Sequence, residues 1–239
     1  AEQAAMIQRR LAAMGELAAG IAHEINNPLG GLQNAVEALA KPGLPEERRE
    51  RYLALLASGL ERIRSTVGQV LRMAPRDVRS EPVDMRDVIE DALALIRHRA
   101  ESEGVELVVE SPPGRPMVVD GSRNELGQAL LNLLVNALDA LRDADRRGGR
   151  IAVACGAVDG RGFEVVVEDD GPGVGPEILT RATDLFFSTK DPGQGTGLGL
   201  AIVHNVADTH GGSLELESVE GEYFRARLRL PAGGGGAGS

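Results

Sequence analysis

Residues 165–175 read VVVEDDGPGVG, an apolar run followed by acidic residues and three glycines. The run predicts a strand, and the glycines free the backbone directly after it. The carboxylate of Asp169, at the strand end, is suited to accept a hydrogen bond from an adenine amino group, with Gly171 and Gly173 as further binding residues. A tight turn without a ligand explains this stretch about equally well when it is taken alone.

A second glycine-rich stretch, GTGLGL at residues 195–200, leads into a helix predicted from about Leu198 to Thr209. Glycines let a backbone approach phosphate closely, and a helix N terminus supplies aligned N–H donors. The stretch is not a Walker loop, because no G-K-[ST] ends it, and it lacks the alternating βαβ setting of a Rossmann fold. Alone it is a weak signal for a phosphate site. Its candidate binding residues are Gly195, Thr196, Gly197, Leu198 and Gly199.

The segment between the two glycine clusters, residues 176–194, is long enough to close over a ligand. It contains FFSTK at residues 186–190. We assign Lys190 to a terminal phosphate, and an ordinary exposed lysine is the alternative.

A polar pair lies on the helix predicted over residues 122–142, whose start fits a capping box of Ser122 and Glu125. Asn132 and Asn136 are four residues apart and therefore share a face. Amide oxygens suit Mg²⁺, which prefers hard oxygen ligands and keeps several waters. A merely solvated polar stripe is the alternative.

The pattern of residues 76–232 predicts an α/β sandwich with a mixed, mostly antiparallel sheet. Helices are predicted over residues 84–103, 122–142 and 198–209, and strands over residues 105–110, 117–119, 151–157, 163–168, 213–218 and 223–230. Asp159-Gly160 is predicted to join two paired strands. The last residues, 233–239, are glycine-rich and predicted to be mobile.

Residues 1–75 carry two long apolar stripes at spacings of three and four. The stripes run from Ile7 to Leu39 and from Leu53 to Val70, and KPGLP at residues 41–45 separates them. This pattern predicts an antiparallel helical hairpin. One hairpin cannot cover both of its own stripes, so we expect a homodimer that completes a four-helix bundle.

His23 lies between Ile21 and Ile25 on the first predicted helix, and at about 100° per residue it points away from the apolar stripe. Pro28 follows one turn later, at a cost of about 3 kcal/mol in a regular helix. A neutral imidazole is a nucleophile near neutral pH, and Glu24 is placed to accept the proton from its other nitrogen. An exposed histidine on a polar face is the alternative. No second histidine completes an H-E-x-x-H metal pair.

The composition narrows the class of protein. The 239 residues suit two domains, and 42% hydrophobic with 26% charged residues is an ordinary balance. A formal net charge of -10 argues against nucleic acid or an anionic membrane as the main partner. Cys155 is the only cysteine, which favours a reducing, cytoplasmic compartment. No apolar run approaches the roughly 20 residues that span a bilayer, and the start at Ala1 is interpreted as that of a fragment that a membrane or sensor segment could precede.

Taken together, five stretches resemble the sequence boxes of sensor histidine kinases, in the order of that family. AGIAHEINNPL at residues 19–29 resembles the H box, and NLLVNA at residues 132–137 resembles the N box. DDGPG at residues 169–173, FSTK at residues 187–190 and GTGLGL at residues 195–200 resemble the G1, F and G2 boxes. The resemblance covers almost the whole chain.

The resemblance implies a dimerisation and histidine phosphotransfer hairpin over residues 1–75. A Bergerat-type (GHKL) ATP-binding sandwich would follow over residues 76–232. It implies His23 as the phosphorylated residue and Glu24 as its general base. Mg²⁺ would be held by Asn136 with Asn132 assisting.

The same resemblance implies that Asp169 reads adenine and that the glycines at 195, 197 and 199 serve the phosphates and a lid hinge. The partner would be the receiver domain of a response regulator. Asn27, four positions after the histidine, matches the family signal for phosphatase activity toward that regulator.

Two rivals belong to other classes of protein. Gyrase-like and chaperone ATPases carry a water-activating glutamate where this chain has Asn132, and an amide cannot act as a general base. Asn132 and His23 therefore disfavour an ATP-driven conformational switch. The complete set of boxes disfavours a non-catalytic signalling scaffold.

Overall fold

The computed structural model describes residues 25–73, 80–110, 116–144, 148–158, 162–190 and 196–233. His23, Glu24, Gly195 and the predicted turn at Asp159-Gly160 lie outside these residues, as does the predicted mobile tail from residue 234 onward. The chain divides into two compact units, one of Ala1–Pro75 with Thr189–Thr196 and one of Arg76–Ser188 with Gly197–Ser239. Each is described on its own.

The helical unit contains a helix over residues 25–39 (α1) and the helix Glu46–Met73 (α2). Leu32 of α1 packs on Gly59 of α2, because a Cβ at position 59 would lie 2.9 Å from Leu32 Cδ2. The missing side chain at Gly59 therefore lets the two helices approach closely. Much of the predicted apolar stripe is left uncovered within one chain, with Leu53 52% and Leu60 60% exposed.

The α/β unit contains four helices and seven strands in its described part. Its helices are Met85–Glu103 (α3), Arg123–Asp143 (α4), Pro176–Arg181 (α5) and Gly199–Thr209 (α6). Its strands are Glu81–Asp84 (β1), Glu106–Glu110 (β2), Val118–Gly121 (β3), Arg150–Val158 (β4), Gly162–Asp169 (β5), Ser213–Val219 (β6) and Tyr223–Pro231 (β7).

The main sheet has five strands in the order β2-β4-β5-β7-β6. β2 runs parallel to β4, and all other neighbours are antiparallel. The predicted mixed, mostly antiparallel sheet is therefore confirmed. One face is buried under the helices, and α4 packs against both α3 and α6. Much of the core comes from fully buried leucines of α4, which are Leu126, Leu130, Leu134, Leu138 and Leu141.

Two elements were not predicted from the sequence. β1 pairs with β3 in a separate two-stranded sheet, although it contains Pro82. α5 occupies the start of the segment predicted as a long loop, and Pro176 suits its first turn because a helix start needs no N–H there. Gly233 is buried and donates a hydrogen bond to Val118 O at 2.9 Å, which fixes the chain after β7.

The start of α4 is held by its own cap and by a histidine. Ser122 Oγ accepts a hydrogen bond from Glu125 N at 3.3 Å, which confirms Ser122 as the cap. The reciprocal half of the predicted capping box is wrong, because Ser122 N donates to His210 instead of the Glu125 side chain. His210 Nε2 accepts from Ser122 N at 3.1 Å, so its Nδ1 carries the proton and donates to Val206 O at 2.8 Å. The C-terminal end of α6 is thereby tied to the helix that carries both candidate asparagines. No helix among the described residues is long and apolar enough to cross a lipid bilayer.

Candidate functional site

Asp169 is the last residue of β5, and its side chain is only 3% exposed. It faces the helices because it continues the inward alternation of Val165 and Val167. Asp169 Oδ1 accepts a hydrogen bond from Gly171 N at 3.0 Å. Burial raises the pKa of the Asp169 carboxyl to about 7, and the Gly171 N–H opposes that rise. A buried acceptor of this kind suits a ligand that brings its own hydrogen-bond donor.

The loop after Asp169 requires glycine at defined positions. A Cβ at position 171 would lie 2.5 Å from Asp169 Oδ1, so a side chain there would displace the carboxylate. Asp170 points elsewhere, because its Oδ1 accepts from Arg150 N at 2.7 Å and its own N–H donates to Arg150 O at 3.2 Å. The two adjacent aspartates therefore differ in function: Asp170 bonds the loop to β4, whereas the Asp169 side chain faces the helices.

The two asparagines of α4 lie on one face, but their surroundings differ. The Asn136 amide faces the start of α6, since a Cβ at Gly199 would lie 3.2 Å from Asn136 Nδ2 and 3.4 Å from Oδ1. Asn132 Oδ1 accepts a hydrogen bond from Gln128 Nε2 at 3.2 Å, and no described residue accepts one from its buried Nδ2. Asn136 therefore fits a metal through its oxygen, and the oxygen of Asn132 keeps one lone pair beside the bond from Gln128.

The described residues contain no cluster of three or more histidine, cysteine or acidic side chains able to hold a metal. Mg²⁺ commonly binds through one or two protein oxygens together with phosphate and water, so the residues present fit that ion and not a caged metal.

The start of α6 combines open backbone donors with unusual backbone angles. Leu198 precedes the helix and provides no side-chain cap, so the first-turn N–H groups remain suited to an anion. Gly197 has φ +62, and a Cβ there would overlap the Phe186 backbone. Phe186 has φ 63, unique for a non-glycine among the described residues, and its N–H donates to Gly197 O at 3.0 Å. Phe186 stores strain on the order of 1 kcal/mol or more.

α4 connects the two glycine clusters. Leu141 Cδ2 lies 3.6 Å from a Cβ placed at Gly171, and Asn136 lies against Gly199. The two positions on α4 are about 7 Å apart along the helix axis, at about 1.5 Å per residue. One helix therefore sets the spacing between the Asp169 loop and the start of α6.

The remaining predicted residues are placed as follows. Lys190 and Thr196 are partly buried, and Asn27 is exposed on α1 with Pro28 inside the same helix. The roles of Asp170 and Phe186 were not predicted, since they depend on a distant contact and on a backbone angle, and the role of Gln128 was missed although its spacing of four from Asn132 on one helix allows the contact.

Comparison with known proteins gives two matching families, one for each part of the chain. Residues 121–233 match the family described as histidine kinase-, DNA gyrase B-, and HSP90-like ATPase. Residues 13–78 match the His Kinase A (phospho-acceptor) domain.

Individual relatives agree with these matches. The chain is 33% identical over 237 residues to sensor histidine kinase ZraS of Klebsiella oxytoca, covering 98% of this chain and 49% of the relative. The chain thus spans about half the length of these curated relatives. The mycobacterial sensor histidine kinase MprB structure is 33% identical with a TM-score of 0.56, covering 64% of this chain and 98% of MprB. Full-length ShkA in complex with AMPPNP is 28% identical with a TM-score of 0.64, covering 91% of this chain and 46% of ShkA.

Proposed function

This chain belongs to the sensor histidine kinase family, and we propose that it moves the γ-phosphoryl group of ATP to His23 and then to an aspartate of a response regulator. The observation that carries the proposal is the arrangement around α4. The buried carboxylate of Asp169 lies at the start of the glycine loop that follows β5. Asn136 faces the N terminus of α6, whose first-turn N–H groups have no side-chain cap. A buried base acceptor and open phosphate donors that both lie beside α4 suit the two ends of one nucleotide.

ATP binding by residues 121–233 follows from the ATPase family that they match. We assign adenine to Asp169 and the phosphates to the backbone at Gly197 and Gly199. The crystallised complex of ShkA with AMPPNP, an ATP analogue, supports a nucleotide in the same fold. Asn136 would hold Mg²⁺, which when bound neutralises charge on the phosphates. Asn132 would assist through the lone pair that its oxygen keeps beside the bond from Gln128.

The transfer itself needs a nucleophile, a proton acceptor and no activated water. A ring nitrogen of neutral His23 forms the new P–N bond, the bond from the γ-phosphorus to the bridging oxygen breaks, and ADP leaves. The proton on the other ring nitrogen passes to Glu24, its sequence neighbour. Asn132 provides an amide where a water-activating base would be required, so hydrolysis is slow and transfer to the histidine is favoured.

Incubation of the full chain with γ-labelled ATP and Mg²⁺ tests this function. We expect acid-labile label on the wild type and none on His23→Gln, while both bind nucleotide equally. Free phosphate without labelled protein would instead indicate a conformational ATPase. Neither product, with nucleotide bound, would indicate a signalling scaffold.

We also propose that two chains pair through the helical unit. The exposed side chains of Leu53 and Leu60 on α2 belong to the apolar stripe that is predicted to pack in the four-helix bundle. Large exposed apolar surfaces mark interaction sites. Light scattering should give a dimeric mass for the wild type and a monomeric mass for Leu53→Glu with Leu60→Glu. Leu95→Glu is the matched control, because Leu95 is 72% exposed on α3 of the other unit. A dimeric mass for the double variant would exclude this apolar stripe as the dimer interface.

The response regulator remains the proposed partner, and Asn27 is proposed to assist removal of its phosphoryl group. Asn27 is exposed on α1, where its amide could orient a water toward a partner's phospho-aspartate. Asn27→Ala should slow the decay of label from a purified phospho-regulator while keeping most self-phosphorylation. Equal decay with wild type and variant would exclude a phosphatase role for Asn27.

Because the reaction consumes ATP, we place this part of the protein in the cytoplasm.

A further inference from the structure

The tip of the β6–β7 hairpin is bonded to the loop that follows Asp169. Val174 N donates to Ser218 Oγ at 2.8 Å, and the same hydroxyl donates to Tyr223 O at 2.8 Å. Gly221 N donates to Pro172 O at 2.6 Å. The Ser218 hydroxyl thus accepts from the loop and donates to the hairpin, so it joins β6 to the loop that follows β5, a strand that β6 does not pair with.

The loop fits under the hairpin closely. Gly173 has φ +56, and a side chain at this position would overlap the carbonyl oxygen of Val219 and approach that of Tyr223 at 2.8 Å. Gly175 lies near the carboxylate of Glu220, with 3.4 Å between a Cβ at position 175 and Glu220 Oε2. The hairpin therefore restricts the loop along most of its length.

Ser218 also interrupts an apolar pattern. Leu214 and Leu216 occupy the preceding inward positions of β6, and the next inward position holds a partly buried serine. A polar residue in a partly buried apolar row needs hydrogen-bond partners, and such local exceptions concentrate at functional sites. Here the hydroxyl forms one hydrogen bond with Tyr223 of the hairpin and one with Val174 of the loop that follows Asp169.

We propose that Ser218 is a positioning residue for nucleotide binding, which fixes the 170–175 loop in the conformation that receives the base. This inference rests on the proposed function, because it takes the Asp169 loop as the adenine side of the site. The hydroxyl does not need to touch the nucleotide. It satisfies the Val174 N–H, and with the bond between Gly221 and Pro172 it holds the glycines in place before the ligand arrives. Such preorganisation lowers the entropy lost on binding.

The test compares Ser218→Ala, Ser218→Thr and Ser213→Ala in the full chain. Ser213 lies on the same strand at an exposed position and is the matched control. Calorimetry or competition measures affinity for ADP and for adenosine. Loss of the hydroxyl should weaken both about tenfold, since one partly buried N–H loses its partner. Ser218→Thr keeps a hydroxyl and should restore most affinity, and Ser213→Ala should bind like the wild type. Amides 173–175 should exchange hydrogen faster in Ser218→Ala only.

Several results would overturn the proposal. Wild-type affinity in Ser218→Ala would do so, as would a lower melting temperature with unchanged affinity of the folded protein. A loss confined to ADP would move the effect to the phosphate side and equally contradict it. If Ser218→Ala does not fold, Ser218→Cys serves instead: its weaker hydrogen bonds should give intermediate affinity, and wild-type affinity would refute the role. Failure of the wild type to bind either ligand would contradict the proposed function itself.

Discussion

The two glycine loops of the site are held in different ways. The loop after β5 is bonded on both sides, through Asp170 to Arg150 and through Pro172 and Val174 to the β6–β7 hairpin. Its conformation is set by the protein alone. The adenine side of the proposed site is therefore built before the ligand binds.

The second loop differs at the start of α6. Phe186 N donates a hydrogen bond to Gly197 O, between two residues with positive φ. The first-turn N–H groups of α6 have no side-chain cap. We therefore propose that the base meets a loop already fixed by the protein, whereas the phosphate donors at α6 are satisfied by the ligand.

Glycine substitutions should give the largest losses, and at both loops. Gly173→Ala should abolish nucleotide binding and lower the free energy of unfolding by about 2 kcal/mol or more, because the side chain meets backbone and φ is positive. Gly197→Ala should have the same two effects, because its Cβ would meet the Phe186 backbone at a φ of +62. Denaturant unfolding and calorimetry measure both.

Gly104→Ala is the control for these variants, because Gly104 has φ +71 with open space around it and should lose only about 1 kcal/mol. Losses at positions 173 and 197 no larger than that of Gly104→Ala would show that neither glycine is closely packed against backbone.

Asp169→Asn should lose about 100-fold in nucleotide affinity and yet gain stability at pH 8. The folded-state pKa of Asp169 is about 7, above its usual value, so the wild type loses stability as pH rises from about 4 through 7. The amide carries no such charge, and a gain of about 1–3 kcal/mol is expected in the apo protein. Thermal unfolding at pH 8 and pH 5 measures it. A gain that does not shrink toward pH 5 would assign the effect to something other than the buried charge.

Asn136→Ala should affect the phosphate side alone. Affinity for ADP with Mg²⁺ should fall about tenfold, while adenosine affinity stays at the wild-type value. Asn27→Ala, on the helical unit, serves as the control for an exposed asparagine. A parallel loss of adenosine affinity would show that Asn136 supports the whole pocket rather than one end.

The smallest expected effect is the pH dependence of base binding. Adenosine carries no phosphate to titrate, so its affinity reports the ionised Asp169 carboxylate. Between pH 8 and pH 6.5 the affinity should fall about fourfold, given a pKa of about 7. Competition binding across this range measures the fall. A flat profile would mean that the protonated carboxyl serves the base as well as the carboxylate does.

Sequence reasoning succeeded where the cause is local. The cap at Ser122, the shared face of Asn132 and Asn136 and the placement of Asp169 at a strand end all follow from spacings of a few residues. Paired strands β4 and β5 followed from their alternation.

The features that were missed depend on distant partners. β1 is a strand because it pairs with β3, although the sequence around Pro82 indicates only a break between domains. Ser218 is hydrogen-bonded to Val174, and Asp170 to Arg150, and both pairs are far apart in the chain. Likewise Phe186 adopts a positive φ because Gly197 lies against its backbone. Hydrophobic periodicity carries no information about such contacts.

Mapping the phosphoryl group after brief incubation with ATP tests the central claim most directly. Proteolysis and mass spectrometry under neutral or alkaline conditions, which preserve phosphohistidine, locate the modified residue in the full chain. The account predicts one phosphoryl group on His23, its loss in Asn136→Ala and Asp169→Asn, and unchanged ADP binding in His23→Gln. Phosphate on any residue other than His23, or on His23 in the variant that cannot bind nucleotide, would contradict it.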